Sequence, residues 1–334
     1  MAATVRDLAE RAGVSPSTIS RAYSRPEKVD ELTRERILRI ADEIGYVPSR
    51  AARTLKTGRT GALGIVVPDL SNPFFSDVVR GTQHRARDLG YSVLLADSDE
   101  DPAAELDLVR TLARNVDALV LCSPRMSDDE LAGASGLPPL VLVNRDSDDL
   151  SHGAVPPVTI DNTGGVVQAV RHLVDLGHRD IGFVSATGTS RSNSERRAAF
   201  ELSTSAAGAR GVVVAACAPV VEGGAAAADA VARSGVTAVL VYNDVMAIGL
   251  MGALARRGVA VPEQLSVVGF DDITMAALFT PALTSVNIPL RRAGAVAVDR
   301  LHAHLTGEHP DPDPHALPTR LVVRESTARR PSGV

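Results

Sequence analysis

Two sets of polar side chains in this 334-residue chain have the types and spacing to do chemistry, and in both the chemistry is binding. The first lies in the opening sixty residues. Ser17, Thr18 and Arg21 fall on the outer side of a short helix that starts at Ser15-Pro16. Residues 49–59 then add four cations and no acid. Hydroxyls and a guanidinium fork suit base edges and phosphates. The second set follows short apolar runs in the body: Asp69 to Phe75, Asn144-Arg145-Asp146, Asp161-Asn162, Thr187 to Arg196, Asn243-Asp244 and Asp271-Asp272. Amides, carboxylates and arginine forks of this kind hydrogen-bond adjacent hydroxyls well.

Charge separates the two sets. Residues 6–59 hold twelve basic against eight acidic side chains, a balance of +4 in a chain whose total is −5, so the remainder carries −9. A small basic head on a large acidic body points to a polyanion binder joined to something else. Thirty-three of the thirty-five basic residues are Arg, and the two lysines are Lys28 and Lys56. No Gly-rich phosphate loop ending in Gly-Lys-Ser/Thr, no Gly-x-Ser-x-Gly elbow and no zinc spacing is present, so no enzyme, cofactor or metal is expected. The Pro/Asp-rich loop from His309 to His315 lacks ligand spacing despite its two histidines. No apolar run is long enough to span a bilayer and the N-terminus lacks a signal core, so no membrane contact and a cytoplasmic location are expected. Cys122 and Cys217 read as buried thiols in a reducing compartment.

The elements that must position the first set are three helices. Thr4-Val5-Arg6-Asp7 is a capping box, Val5, Leu8, Ala9 and Ala12 form one apolar face, and Gly13 ends the helix. Ser15 and Pro16 start the second helix, with Val14, Ile19 and Ala22 directed inward. A third helix spans about Glu31 to Ile44, packs through Ile37, Ile40, Ala41 and Ile44, and stops at Gly45. The first two have helix-turn-helix spacing, the second built to lie in a major groove.

The series Thr4-Val5-Arg6-Asp7-Leu8-Ala9 through Ser17-Thr18-Ile19-Ser20-Arg21, with Thr33-Arg34-Glu35-Arg36-Ile37, Gly45-Tyr46-Val47-Pro48 and Ala52-Arg53-Thr54-Leu55, resembles the head of the lactose/galactose-repressor (LacI/GalR) family, and the likeness runs to the C-terminus. The resemblance implies DNA contacts from Thr4, Ser15, Pro16, Ser17, Thr18, Ser20 and Arg21. Pro16, Ser17 and Arg21 hold the base-reading positions; Thr18 and Ser20 lie nearer the phosphates. A bidentate Arg21–guanine contact would contribute about 1–3 kcal/mol of discrimination. The head departs from the family at Ala22-Tyr23, where Tyr23 is expected to pack on the third helix. The resemblance also implies a hinge helix carrying Ser49, Ala52, Arg53, Leu55 and Lys56, with Leu55 as the wedge that kinks the duplex.

Beyond Gly61, apolar strand runs at 62–67, 92–96, 118–121, 140–143, 181–184, 212–214, 238–241 and 266–270 alternate with helical stretches. Such a pattern predicts parallel sheets covered on both faces, and two such halves make a clamshell. The expected architecture is thus an all-α helix-turn-helix head (1–47), a hinge (48–60), and an α/β, periplasmic-binding-protein-like, two-lobed body of doubly wound parallel sheets (61–330). The family resemblance implies crossovers near 159–163 and 284–292, and so an N-lobe over about 61–160 plus 289–317 and a C-lobe over about 161–288 plus 318–330. Ligands of open parallel sheets bind beyond the carboxyl ends of the strands, which places the second polar set around the interlobe cleft. Asp161, Asn162 and Asp244 each precede a helix, and Asp244 suits a cap.

By resemblance, the effector contacts are the aromatics Phe74 and Phe75, with Asn144, Arg196, Asn243 and Asp271; Asp161 joins them from its strand end. The set suits a sugar or related polar metabolite, although no ring near Val220-Val221 is available to stack on a pyranose. Pro318 to Thr327 resembles the family's closing strand, and no heptad tail follows, so a homodimer is expected on a pseudo-palindromic operator. The expected function is a transcriptional regulator, most often a repressor in this family. The alternative is a solute-binding protein of the same clamshell fold without a transcriptional role.

Overall fold

The computed structural model describes residues 3–46, 58–132, 137–145, 155–308 and 316–330. The expected hinge residues Ser49, Ala52, Arg53, Leu55 and Lys56 and the His309–His315 loop lie outside them. Contacts divide the chain into two units, 1–60 and 61–334.

The head unit is built from its caps. Helix α1 (Val5–Ala12) carries the reciprocal Thr4–Asp7 capping box and ends at Gly13 with φ of 64°, the left-handed conformation that glycine adopts without strain. Helix α2 (Pro16–Ser24) is capped by Ser15, whose hydroxyl accepts from the Thr18 amide, and has proline in its first turn. Helix α3 (Glu31–Glu43) is capped by Asp30. Leu8, Ala9, Ala12, Ile19, Ala22, Ile37 and Ala41 close the core, with Val5, Val14, Tyr23, Ile40, Ile44 and Tyr46 packed around it. Tyr23 packs beyond the end of α3, its ring 6.2 Å from that of Tyr46.

Among the described residues the body contains a four-stranded sheet, a six-stranded sheet and a two-stranded pair. In the N-lobe, β1 (Ala62–Val67), β2 (Ser92–Asp97), β3 (Ala118–Cys122) and β4 (Leu140–Val143) form a parallel sheet in the order β2-β1-β3-β4. Every residue of β1 and β3 is buried, as expected for strands covered on both faces. Helices α4 (Pro73–Asp88) and α5 (Pro102–Ala113) and the short α6 (Asp128–Ala132) belong to this lobe.

The chain crosses at β5 (Thr159–Ile160) into α7 (Asn162–Asp175). The second series is β6 (Asp180–Ala186), α8 (Arg191–Ala206), β7 (Arg210–Cys217), α9 (Val221–Ala226), α10 (Ala228–Arg233), β8 (Ala238–Val241), α11 (Asp244–Arg256), β9 (Ser266–Asp271) and β10 (Thr284–Asn287). It then returns through α12 (Leu290–Thr306), β11 (Ala316–Leu317) and β12 (Arg320–Val322). The C-lobe sheet has the order β12-β10-β9-β8-β6-β7, parallel except for β12, which runs antiparallel to β10. That closing strand is therefore a departure from a purely parallel sheet. Strands β5 and β11 pair at the crossovers, and α12 goes back to pack on α4 of the N-lobe. There Gly294 is required, because a Cβ would stand 2.2 Å from the Val78 carbonyl oxygen. One continuous apolar core joins both lobes, including Val120, Val143, Phe183 and Phe270.

Candidate DNA-reading face and interlobe effector site

On the head, Ser15, Pro16, Ser17 and Arg21 are exposed and Thr18 and Ser20 half-buried. The hydroxyls form a local network: Ser15 Oγ lies 2.8 Å from Ser17 Oγ and 2.9 Å from Thr18 Oγ1. Arg21 folds back along α2, its Nε donating to the Ser17 carbonyl and one terminal nitrogen to Thr18 Oγ1, both at 3.3 Å. These bonds park an exposed guanidinium over the first turn of the helix. Thr4 is engaged by Asp7, whose carboxylate accepts from both its amide and its hydroxyl at 2.8 Å. Those two bonds hold Asp7 below the usual carboxylate range.

In the body the strand ends meet around Arg196, a residue of α8 that is only 2% exposed. Its Nε donates to Asn162 Oδ1 at 2.9 Å, one terminal nitrogen to the Tyr242 carbonyl at 2.7 Å, and the other reaches Asp271 Oδ1 at 3.5 Å. The guanidinium carbon stands 3.7 Å from the Phe270 ring centroid and 5.0 Å from that of Tyr242, a contact that favours a desolvated cation. Burial pushes the Asp271 carboxyl up to about 7, and Arg196 offsets only part of that rise. Asp271 and Asp272 both have positive φ, at 110° and 56°.

Several expected contacts have other partners in this structure. Asp161 caps α7 by accepting from the Gly164 amide, and it is the next residue, Asn162, that joins Arg196 and also reaches Asn144 Oδ1 at 3.3 Å. Asn243 is the cap of α11, accepting from the Met246 amide, while its Nδ2 donates to the Pro219 carbonyl. The expectation that Asp244 caps this helix is therefore corrected. Asp244 is fully buried in the first turn, where it accepts from Ser285 Oγ at 2.6 Å and the Ile273 amide at 2.9 Å. Burial, with the nearby Asp271 charge, raises its carboxyl well above the usual range. Phe74 and Phe75 are buried in the core cluster that joins the lobes and pack edge to face at 4.9 Å.

Tyr242 and Arg125, which the sequence did not single out, complete the site beside the Thr187–Arg196 stretch. The Tyr242 hydroxyl lies 3.0 Å from Ser190 Oγ and 3.2 Å from Ser192 Oγ. Across the cleft, the buried Arg125 pairs with Glu100, with one bond of 2.8 Å. Burial works against the Arg125 charge, but its acidic neighbours outweigh it and hold the guanidinium above its ordinary value. Thr189 Oγ1 donates to the Arg125 carbonyl at 3.0 Å, and Arg191 approaches Asp128 to 3.8 Å, so both ties cross between lobes. Tyr242 was visible as the first polar residue after the β8 apolar run. Arg125 carried no comparable signal.

Among the described residues, no group of three or more His, Cys, Asp or Glu could hold a metal ion, and no helix is long and apolar enough to cross a membrane. Cys122 and Cys217 are free, the first buried and the second half-buried; burial pushes the Cys122 thiol up to about 12.

A capped helix-turn-helix head followed by a two-lobed α/β body defines a ligand-responsive DNA-binding protein. Residues 4–49 match the model of bacterial regulatory proteins of the lacI family, and residues 170–327 match a periplasmic binding protein-like domain. The transcriptional repressor CytR of Escherichia coli K12 is 31% identical over 99% of this chain and 98% of its own. Catabolite control protein A of Priestia megaterium is 30% identical over 98% and 100%. Among solved structures, the lac repressor dimer bound to operator and the anti-inducer ONPF superposes with a TM-score of 0.86 at 27% identity, covering 98% of this chain and all of that one. A CelR–cellobiose complex gives 0.71 at 30% identity, covering 97% and 99%. The chain belongs to the lacI family of bacterial transcriptional regulators. It is a regulator with a DNA-binding head and an effector-binding body, and not an enzyme. The lacI-type head also sets aside a clamshell protein without a transcriptional role.

Proposed function

We propose that the chain represses transcription in the cytoplasm, binding a pseudo-palindromic operator as a homodimer and releasing or holding it according to a small polar effector, sugar-like in its hydroxyl chemistry, in the interlobe cleft. The work is divided among a reading head (1–47), a hinge (48–60) and a sensing body (61–330). On the head, Arg21 and Ser17 read base edges, with Thr4, Ser15, Pro16, Thr18 and Ser20 beside them. Ser49, Ala52, Arg53, Leu55 and Lys56 of the hinge complete the DNA contact. The structures solved with an operator and with cellobiose support this reading by analogy.

The observation that carries the effector reading is Arg196: a buried guanidinium at the strand ends of the C-lobe, with Asn162, Tyr242 and Asp271 on its three donor directions. Such a fork is set to trade one internal partner for a ligand hydroxyl. Asp271 is its counterion; Asn144 and Asn243 present amides close by, Asp161 orders the helix that carries Asn162, and Phe74 and Phe75 brace the N-lobe wall. A thermal-shift screen of the full chain against sugars and nucleosides tests the reading, because a cleft ligand raises the melting temperature by mass action. A hit that shifts the wild-type chain and leaves Arg196→Ala unmoved supports it. An equal shift in that variant places the ligand elsewhere.

A further inference from the structure

Asn162 is the first residue of α7, separated only by its cap Asp161 from the strand by which the chain crosses from the N-lobe to the C-lobe. It is 3% exposed, and both ends of its amide are used. The Oδ1 accepts from Arg196 Nε at 2.9 Å. The Nδ2 donates to Glu195 Oε2 at 2.9 Å and, across the lobes, to Asn144 Oδ1 at 3.3 Å. Asn144 in turn donates through its Nδ2 to Ser123 Oγ at 2.9 Å.

The donors therefore run one way, from Arg196 to Asn162 to Asn144 to Ser123. Reversing either amide would set donor against donor, so each orientation fixes the next. The backbone of Asn144 has φ of 58°, a left-handed conformation that asparagine adopts more readily than most residues. Its side chain is thus delivered to the relay by a turn at the end of β4. Two further side-chain ties between lobes among the described residues, Thr189 to the Arg125 carbonyl and Arg191 to Asp128, involve half-buried or exposed side chains. The Asn162–Asn144 bond is made between buried groups, where an unmade hydrogen bond is costly.

We propose that Asn162 is a positioning residue that couples the effector arginine to the N-lobe: it aims the Arg196 fork and passes its orientation to Asn144, so that the Arg196–Asn162 bond and the contact between the lobes are made or lost together. A ligand that draws Arg196 Nε away from Asn162 removes the constraint on that amide, and with it the buried bond between lobes. An aspartate could still accept from Arg196 but could not donate to Asn144 and would face Glu195 with like charge. Asparagine alone of the pair serves both sides. The proposal rests on the cleft being the effector site, but its test reads lobe geometry and needs neither ligand nor operator.

The experiment measures the distance between lobes by electron–electron resonance on the full chain. Nitroxides are placed by Asp107→Cys on α5 and Glu201→Cys on α8, both exposed, with Cys217→Ser in all samples and excess unlabelled chain to dilute intermolecular pairs. Asn162→Asp, which keeps the Arg196 contact and side-chain volume, should shift the distance distribution to longer and broader values. Asn144→Ala should produce the same shift, and the double variant should open no further than either single change, because both cut one link. A distribution unchanged in Asn162→Asp overturns the proposal, and so does additive lengthening in the double variant. Asn144→Ala supplies the same reading if the aspartate variant fails to fold.

Discussion

Arg196 and Asp271 are both almost fully buried, yet their closest approach is 3.5 Å, long for a charge-assisted bond. The shorter bonds of Arg196 go to Asn162 and the Tyr242 carbonyl. The ion pair is therefore only partly made: burial raises the Asp271 carboxyl to about 7, and Arg196 at this distance offsets only part of that rise. An under-paired arginine and a readily protonated acid form a site in which a ligand can change partners at low cost.

Stability should carry the signature of that acid. An aspartate whose folded value is raised from 3.8 to about 7 binds its proton more tightly in the native state. Its contribution is fully present below the unfolded value and is lost as pH rises through about 7. Asp244 acts in the same direction. The melting temperature should thus receive a falling contribution between about pH 4 and 7 from these two groups, and Asp271→Asn should flatten that slope without abolishing it. Melts across this range check it; an identical slope in the variant contradicts the assignment.

Arg196→Ala should cost on the order of 2–3 kcal/mol in a urea unfolding curve, the range for losing buried hydrogen bonds made by a charged group. Protonation of Asp271 limits the penalty of leaving that acid without its cation. Arg196→Lys should recover little, since one ammonium cannot reproduce the fork toward Asn162, Tyr242 and Asp271. Equal stability of the alanine variant and the wild type would refute the arrangement.

On the head, Ser15→Ala removes the acceptor for the Thr18 amide and should lower head stability by about 1 kcal/mol. Arg21→Ala should leave the head's melting unchanged, because its bonds are made on the surface of α2. It should weaken operator binding by about 1–3 kcal/mol while affecting unrelated DNA less. Fluorescence anisotropy on selected and scrambled duplexes separates the two; an equal loss on both would make Arg21 a phosphate contact.

Leu55→Ala, at the wedge position implied by the family likeness, should weaken operator binding with the head still folded. Binding by the wild type should also fall steeply with salt, as phosphate contacts require. Anisotropy titrations over a salt series measure both, and unchanged affinity in the variant would remove the wedge.

Much of this architecture was legible because local signals suffice for it. Thr4 with Asp7, Gly13, and Ser15 with Pro16 set helix ends through bonds within three or four residues. The apolar runs at 62–67 and 238–241 matched β1 and β8. Strand β7 extends to Arg210 and Cys217 beyond its apolar centre because backbone pairing with β6 continues past it. The site was only partly legible. Arg196 stood out by family likeness, but Asn162 rather than Asp161, and Asn243 rather than Asp244 as the cap, depend on where a strand releases the chain, to within one residue. Arg125 acquires its role only when distant strand ends meet. Phe74 and Phe75 stood out by family likeness, and their burial in the core depends on helix packing that the sequence near them does not specify.

The central claim is that occupancy of the cleft at Arg196 controls the hold on DNA. The most direct measurement is anisotropy titration of the full chain onto an operator obtained by in vitro selection, with and without a compound that raises its melting temperature. The compound should change wild-type affinity by about tenfold or more, within the range of allosteric coupling, and leave Arg196→Ala unchanged. A full response in Arg196→Ala, or no response in the wild type, would contradict it.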